Sequence, residues 1–173
     1  MRNLKETKLF KKVYGCIIGG AIGDAMGGPV EGMHYKFIRQ AYGGLITDLL
    51  PYKRPEDFFQ AGSDSGAYAA GTQAGTYTDD TYFQLLITKT IVEKQGRITA
   101  DELAETWMRE MDVSKAWHSL RNSYYKISLS RTPIREAGVG NIPDNSSAMC
   151  IGTIGVINAG DPAQAALDAY DVA

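Results

Sequence analysis

The spacing of apolar residues along the chain predicts a series of helices. Within residues 9–26, apolar positions recur at the three- and four-residue intervals that place them on one helix face. Gly28-Pro29 then ends this first helix. Glycine also recurs every fourth residue within it, although a glycine costs about 1 kcal/mol relative to alanine inside a helix. This stripe allows another element to pack closely, or a ligand to approach; its members are Gly15, Gly19, Gly23 and Gly27.

Similar patterns predict helices along the rest of the chain. A short amphipathic segment covers 35–42, and residues 61–75 form a Gly-, Ser- and Asp-rich loop at the surface or at the rim of an active site. Because no strand pattern of comparable strength occurs, we predict an all-α fold. The later helices begin at Thr78, at the Thr99–Glu102 capping box, near Val113, at Ala148 (a segment apolar on all sides and so predicted to be buried) and at Asp161-Pro162.

The last predicted helix reaches Ala173 with no glycine, basic residue or other capping signal. We therefore expect residues 1–173 to be the N-terminal part of a single domain that is incomplete at its C-terminus.

The segment Gly75 to Thr81 carries the most distinctive chemistry. Thr78, Asp79 and Asp80 open a predicted helix there, and adjacent carboxylates repel each other unless a cation or solvent screens them. Hard oxygen ligands suit Mg²⁺, Ca²⁺ or Mn²⁺ better than Zn²⁺. Thr and Asp are also favoured as N-caps, where a negative charge complements the helix dipole. Residue types alone therefore leave a metal site and a simple helix cap both open.

Three segments in this order resemble the ADP-ribosylglycohydrolase family: the Gly-Asp-Ala-x-Gly-x-Pro-x-Glu-type run around Asp24 to Glu31, the Thr-Asp-Asp-Thr turn, and Asn145 to Met149. The resemblance extends from about Val13 to the end of the chain. It implies a compact, orthogonal multi-helix all-α domain of about twice this length. It also implies two Mg²⁺ ions, which Mn²⁺ could replace, bound on one side by Thr78, Asp79 and Asp80.

In the family, the other side of the metal site is a later Asp-x-Asp-Thr motif, which this chain lacks. The partner implied is therefore a C-terminal half, either in cis or as a second chain. The resemblance assigns catalytic roles to Asp79, Asp80 and Glu31, the last near the scissile bond, whereas Asp24 is expected to be a structural anchor at the helix end. Cleavage of a glycosidic bond to ribose passes through an oxocarbenium-like centre, which a held water attacks at C1.

The resemblance also implies a substrate-binding loop before Met149. In family members that cleave ADP-ribose, a glycine-rich form of this loop holds the diphosphate. Here two glycines are replaced by serines, an arginine by Cys150, and a carboxylate is added at Asp144, which puts phosphate binding in doubt. The predicted substrate-binding residues are Gly140, Asn141, Asn145, Ser146 and Ser147.

Three functions follow as alternatives. The first is a Mg²⁺-dependent hydrolase that removes ADP-ribose from a protein or small-molecule acceptor. The second is an N-glycosidase acting on a nucleoside-like ribosylated molecule, which the altered loop suits better. The third is a non-catalytic family member, although the two adjacent carboxylates argue against a purely structural role.

Composition and charge limit the partners and the cellular compartment expected for these alternatives. Charged residues make up 22% of the chain and the net charge is -2, so no basic excess indicates a nucleic-acid partner. The uncharged run from Val13 to Gly23 is too short to span a membrane. Cys16 and Cys150 both lie in apolar sequence and are expected to be buried free thiols, which favours a cytoplasmic protein.

Overall fold

A computed structural model describes residues 3–52 and 73–173, and within these ranges the protein is built from helices with no strand. The all-α prediction is confirmed. None of the described helices is long and apolar enough to cross a membrane. Of the predicted loop at 61–75, residues 61–72 lie outside the described part. The helices are α1 (Lys8–Gly27), α2 (Tyr35–Tyr42), α3 (Asp79–Lys94), α4 (Ala100–Glu110), α5 (His118–Ser128), α6 (Ser146–Cys150), α7 (Gly152–Ile157) and α8 (Pro162–Val172).

Two helix boundaries follow from local capping. The capping box at the start of α4 is confirmed, because the Thr99 hydroxyl accepts from the Glu102 N–H and the Glu102 carboxylate accepts from the Thr99 N–H. The predicted start of the next helix near Val113 is wrong. Asp112 instead accepts from the N–H and the hydroxyl of Ser114 and caps a single 3₁₀ turn, Val113–Lys115. Ala116 is extended, so α5 begins only at His118.

The segment predicted as one buried helix, 148–157, forms two short helices that meet at Ile151. The Ile154 N–H donates to the Ile151 carbonyl in a tight three-residue turn. Cys150 and Ile154 are buried, whereas Ala148 and Ile157 are exposed. The prediction of burial on all sides is therefore wrong, because only one side of the segment packs into the core.

The chain divides into two compact units, one comprising Met1–Ile17 and Asp79–Ala173 and the other Ile18–Thr78. In the first unit α3 is central, with α4, α6 and α7 packed around it. Phe83 is 1% exposed and makes an edge-to-face contact with Trp107, with ring centroids 5.7 Å apart. The buried cluster contains Phe83, Leu86, Ile87, Ile91, Ile98, Leu103, Met111, Ala116, Leu120, Cys150 and Ile154.

A polar network fastens α8 to the rest of the first unit. The Arg97 guanidinium donates two hydrogen bonds, of 2.6 and 2.7 Å, to the buried Asp168 carboxylate. Asn158 and Gln164 donate to the same carboxylate, and together with Arg97 they hold the pKa of Asp168 well below its usual range. One turn later, the Asp171 carboxylate accepts from the Ala100 N–H at the start of α4.

The glycine stripe of α1 has no close neighbour among the described residues. A Cβ atom added at Gly15, Gly19, Gly23 or Gly27 would meet no described atom within 4 Å. Large apolar side chains of the same helix are exposed, including Tyr14 at 56%. Within the described part of the chain, no element therefore packs closely against the stripe, and approach of a ligand to it stays a prediction. Cys16, predicted to be buried, is exposed on this helix.

Candidate functional site

Thr78 ends the second unit, and its polar groups are bound to Asp24 at the end of α1. The Thr78 backbone N–H donates to Asp24 Oδ2 at 2.9 Å, and the Thr78 hydroxyl donates to Asp24 Oδ1 at 2.6 Å. The side chain is 3% exposed, so these bonds form largely out of water. Asp24 is thus an anchor, as expected, and the group that it anchors is the first residue of the candidate metal turn.

Position 28 requires glycine because it packs against the methyl group of Thr78. A Cβ atom added at Gly28 would overlap the Tyr52 hydroxyl and would lie only 2.9 Å from Thr78 Cγ2. Tyr52 is 2% exposed, so the contact is enclosed. In the sequence, Gly28 is recognisable only as part of a helix-ending Gly-Pro pair, and nothing there indicates this close approach. Tyr52 carries no motif that could have indicated it.

Asp79 and Asp80 form the acidic first turn of α3 and are half-buried. Their charges complement the amino end of the helix dipole. Their charges also affect Cys150 on the neighbouring helix α6. Burial, together with the negative charges of Asp80 and Asp79, raises the pKa of the Cys150 thiol to about 12. The two carboxylates therefore create a negative field on the α6 side of α3.

Glu31, the other predicted catalytic carboxylate, is exposed. It directly follows the 3₁₀ turn Gly28–Val30, and its backbone N–H donates to the Gly28 carbonyl. Glu31 is therefore separated by one short turn from Gly28, which packs against Thr78. The catalytic role of Glu31 stays a prediction.

Asn141, predicted to bind substrate, has a fully engaged side-chain amide. Its Nδ2 donates to the Ser119 carbonyl at 3.0 Å and to the Ser123 hydroxyl at 2.8 Å. Its Oδ1 accepts from Lys126 Nζ, which also donates to the carbonyls of Ala137 and Val139. Lys126 and Asn141 thus fasten the loop to α5. No sequence signal indicated Lys126. The neighbouring Gly140 has φ of +77°, a conformation that favours glycine.

Asp144 is fixed at the start of α6. Its Oδ1 accepts from the Ser146 N–H at 2.9 Å. Burial alone would raise the pKa of Asp144, but hydrogen bonds from the Ser119 hydroxyl and from Ser146 hold that pKa below its ordinary value. Ser146 is itself buried, with its hydroxyl 3.2 Å from that of Ser119. The loop before α6 therefore carries a negative charge at neutral pH.

The other predicted substrate-binding residues lie beside this carboxylate. Asn145 is exposed at the start of α6, and the Ser147 hydroxyl donates to the Ala173 carbonyl. Substrate binding by Gly140, Asn141, Asn145, Ser146 and Ser147 stays a prediction.

The Thr78–Asp79–Asp80 turn offers oxygen donors for one side of a cation. Within residues 3–52 and 73–173, no group of three or more His, Cys, Asp or Glu side chains is arranged to hold a metal ion. The donor set nevertheless fits a hard divalent cation in part, since it combines two adjacent carboxylates with a hydroxyl whose hydrogen is directed at Asp24. A complete coordination shell needs further oxygen ligands.

Comparison with known proteins decides the family. The family model for ADP-ribosylglycohydrolase matches residues 5–173, essentially the whole chain. The chain belongs to the ADP-ribosylglycohydrolase family. An uncharacterized protein of Archaeoglobus fulgidus is 35% identical over 83 residues, a match that covers 48% of this chain and 22% of that protein. No solved structure matches the chain. Membership of the ADP-ribosylglycohydrolase family supports a glycosidic hydrolase, and the matched segment spans less than a quarter of the curated relative.

Proposed function

We propose that this member of the ADP-ribosylglycohydrolase family is a Mg²⁺-dependent hydrolase that removes ADP-ribose from a protein or small-molecule acceptor. The observation that carries the proposal is the Thr78–Asp79–Asp80 turn. Its hydroxyl is held by Asp24, and its two carboxylates are fixed by the first turn of α3. Mn²⁺ could replace Mg²⁺ at such oxygen ligands.

The roles of the residues follow from the reaction. When bound, Mg²⁺ supplies chelation of the ribose hydroxyls and favours deprotonation of water. Asp79 and Asp80 hold the ion and orient the attacking water. As water adds to C1, the glycosidic bond breaks, and a carboxylate accepts the proton of the water and passes it to the leaving group. We assign this last role to Glu31, which is exposed at the end of the Gly28–Val30 turn.

The donor set also supports a proposal about partners. Because the turn provides ligands on one side of a cation only, we propose that a C-terminal half, in cis or as a second chain, supplies the remaining ligands of a two-ion site. The two free thiols favour a cytoplasmic setting for the assembled enzyme.

A second candidate function is favoured by Asp144. This carboxylate accepts the Ser146 N–H and stays charged, so it occupies the position at the start of α6 where an anionic group would otherwise bind. It would repel a diphosphate in that loop. An N-glycosidase acting on an uncharged, nucleoside-like ribosylated molecule suits this loop better than an ADP-ribose hydrolase does.

The test combines metal binding with product analysis. The wild-type chain, the Asp79→Asn/Asp80→Asn variant and an Asp101→Asn control would be titrated with Mg²⁺ by calorimetry, each alone and with the proposed C-terminal half supplied separately. Asp101 is an exposed first-turn aspartate of α4 and therefore a matched control for a helix-cap effect. The proposal expects binding by the wild type and the control and weak or no binding by the double variant. Equal Mg²⁺ affinity of all three proteins would mean that the turn serves only as a helix cap.

Product analysis then separates the two enzymatic candidates. Each protein would be incubated with an ADP-ribosylated protein and with a purine ribonucleoside, in Mg²⁺ or in excess chelator. Mg²⁺-dependent release of ADP-ribose supports the first function, whereas release of free base without turnover of the ADP-ribosylated protein supports the second. Turnover of neither substrate by a protein that binds Mg²⁺ would favour the non-catalytic alternative.

A further inference from the structure

Asp24 makes two contacts with a residue that lies 54 positions away in the sequence. Each carboxylate oxygen accepts a different group of Thr78, one the backbone N–H and the other the hydroxyl. A contact to the N–H alone would be sufficient to anchor the backbone. The second contact, at 2.6 Å, determines where the hydroxyl hydrogen points.

The direction of that hydrogen has a chemical consequence. A threonine hydroxyl has one hydrogen and two lone pairs. When the hydrogen is donated to Asp24, the oxygen acts only as an acceptor toward any further group, and a cation needs an acceptor. If the hydroxyl were free to rotate, its hydrogen could instead point at the cation and oppose binding.

Thr78 is also restrained on its methyl side. The Cγ2 atom lies so close to Gly28 that even an alanine Cβ there would come within 2.9 Å of it. The backbone N–H, the hydroxyl and the methyl group of Thr78 are therefore all fixed by the short stretch from Asp24 to Gly28. This degree of restraint exceeds what a helix cap requires, because a cap needs only one side-chain acceptor.

We propose that Asp24 is a positioning residue that holds Thr78 Oγ1 as an acceptor toward the divalent cation bound by the Thr78–Asp79–Asp80 turn. This inference rests on the proposed function, since it presupposes that the turn binds a cation. Asp24 acts through Thr78 and is not itself a ligand. Loss of such a partner behind a metal ligand typically lowers metal affinity about 10- to 100-fold.

The decisive variant is Asp24→Asn, which keeps the size of the side chain. The asparagine oxygen can still accept the Thr78 N–H, but the amide nitrogen would then face the Thr78 hydroxyl and donate to it. The hydroxyl hydrogen would be turned away from residue 24. We expect Mg²⁺ affinity, measured by calorimetry on the full chain, to fall about 10- to 100-fold while the helical circular dichroism is retained.

Asp48→Asn is the matched control for the loss of one negative charge. Asp48 is an exposed residue of the same unit, and it accepts the N–H of Leu49. Its substitution should leave Mg²⁺ affinity unchanged. An equal loss of affinity in both variants would mean that overall charge, rather than the direction of the hydroxyl, controls binding, and would overturn the inference.

A double-mutant cycle with Thr78→Val separates the proposed role from a merely structural one. Thr78→Val removes the hydroxyl and keeps the shape, so it should weaken Mg²⁺ binding as Asp24→Asn does. If Asp24 acts through the hydroxyl, adding Asp24→Asn to Thr78→Val should cause little further loss. Additive losses in the cycle would overturn the inference.

Further outcomes distinguish failure of this inference from failure of the proposed function. If Asp24→Asn fails to fold, Thr78→Ser and Thr78→Val still decide the matter, because Thr78→Ser keeps the hydroxyl and should bind Mg²⁺ more tightly than Thr78→Val. Equal affinity of these two variants would overturn the inference. Failure of the wild type to bind Mg²⁺, both alone and with the proposed C-terminal half, would overturn the proposed function and this inference together. Loss of binding in the Asp79→Asn/Asp80→Asn variant, with normal binding in Asp24→Asn, would overturn this inference alone.

Discussion

Gly28 offers a direct test of the packing beneath the candidate metal turn. In Gly28→Ala, the new methyl group would overlap the Tyr52 hydroxyl and lie 2.9 Å from Thr78 Cγ2 and 3.2 Å from Tyr52 Cζ. Tyr52 is 2% exposed and Thr78 is 3% exposed, so neither side chain has solvent to move into. Overpacking of this kind costs about 1–3 kcal/mol.

Gly23→Ala is the matched control. Gly23 lies within α1, and an added Cβ would meet no described atom within 4 Å. Alanine is favoured over glycine in a helix interior by about 0.5–1 kcal/mol, so this substitution should stabilise the protein. The two variants make the same chemical change five residues apart, and their effects on stability should have opposite signs.

The assay is urea and thermal unfolding followed by circular dichroism at the helical minimum. In a chain of this size, each kcal/mol corresponds to a shift in melting temperature of about 2–4 °C. Gly28→Ala should therefore melt below the wild type and Gly23→Ala above it. A Gly28→Ala variant at least as stable as the wild type would refute the close packing of Gly28, Tyr52 and Thr78. A destabilised Gly23→Ala would show that the stripe of α1 packs against another element.

Three further predictions concern the first unit. Asp168→Asn should flatten the dependence of the urea unfolding midpoint on acid pH. Hydrogen bonds from Arg97, Asn158 and Gln164 lower the pKa of Asp168. The stability that the Asp168 carboxylate contributes is therefore present above the ordinary carboxyl pKa and is lost as the pH falls toward the lowered value. Phe83→Ala should destabilise the protein by about 3–5 kcal/mol in urea unfolding, whereas Phe37→Ala, at a residue 47% exposed, should change stability far less. Iodoacetamide at pH 8 should alkylate Cys16 in the native protein and leave Cys150 unmodified, as read by mass spectrometry, because Cys150 is buried and burial raises its thiol pKa to about 12.

A different result would contradict each of these three predictions. Parallel acid profiles for wild type and Asp168→Asn would mean that the carboxylate has the same pKa folded and unfolded. Similar losses for the two phenylalanine variants would contradict the central position of Phe83 in the core. Equal alkylation rates of the two cysteines would contradict the burial of Cys150.

Sequence alone could predict the elements that depend on local signals. The capping box at Thr99 and the Asp161-Pro162 start of α8 involve residues within one helical turn, and both occur as predicted. The start of α5 was missed because Asp112, another local cap, ends the pattern early with a 3₁₀ turn. Periodicity counts apolar positions and cannot detect such a competing cap.

The candidate site was predictable only in its residue types. The Thr-Asp-Asp turn is visible as a motif, and Asp24 was expected to be an anchor, but its partner Thr78 is set by tertiary structure. The glycine pattern was misleading for the same reason. The regular stripe in α1 has no described neighbour, whereas the single Gly28 has two. Which glycine is required depends on what packs against it, and one sequence does not carry that information.

The bond between Asp24 and Thr78 also constrains how the protein folds. Helix α3 can form from local contacts, but the orientation of Thr78 is fixed only when the loop between two residues 54 positions apart has closed. Closing such a loop costs entropy that grows only with the logarithm of its length, by about 0.6 kcal/mol for each doubling. The candidate metal turn should therefore be among the last parts of the protein to become ordered during folding. A cation that binds the closed form would stabilise that final step by mass action.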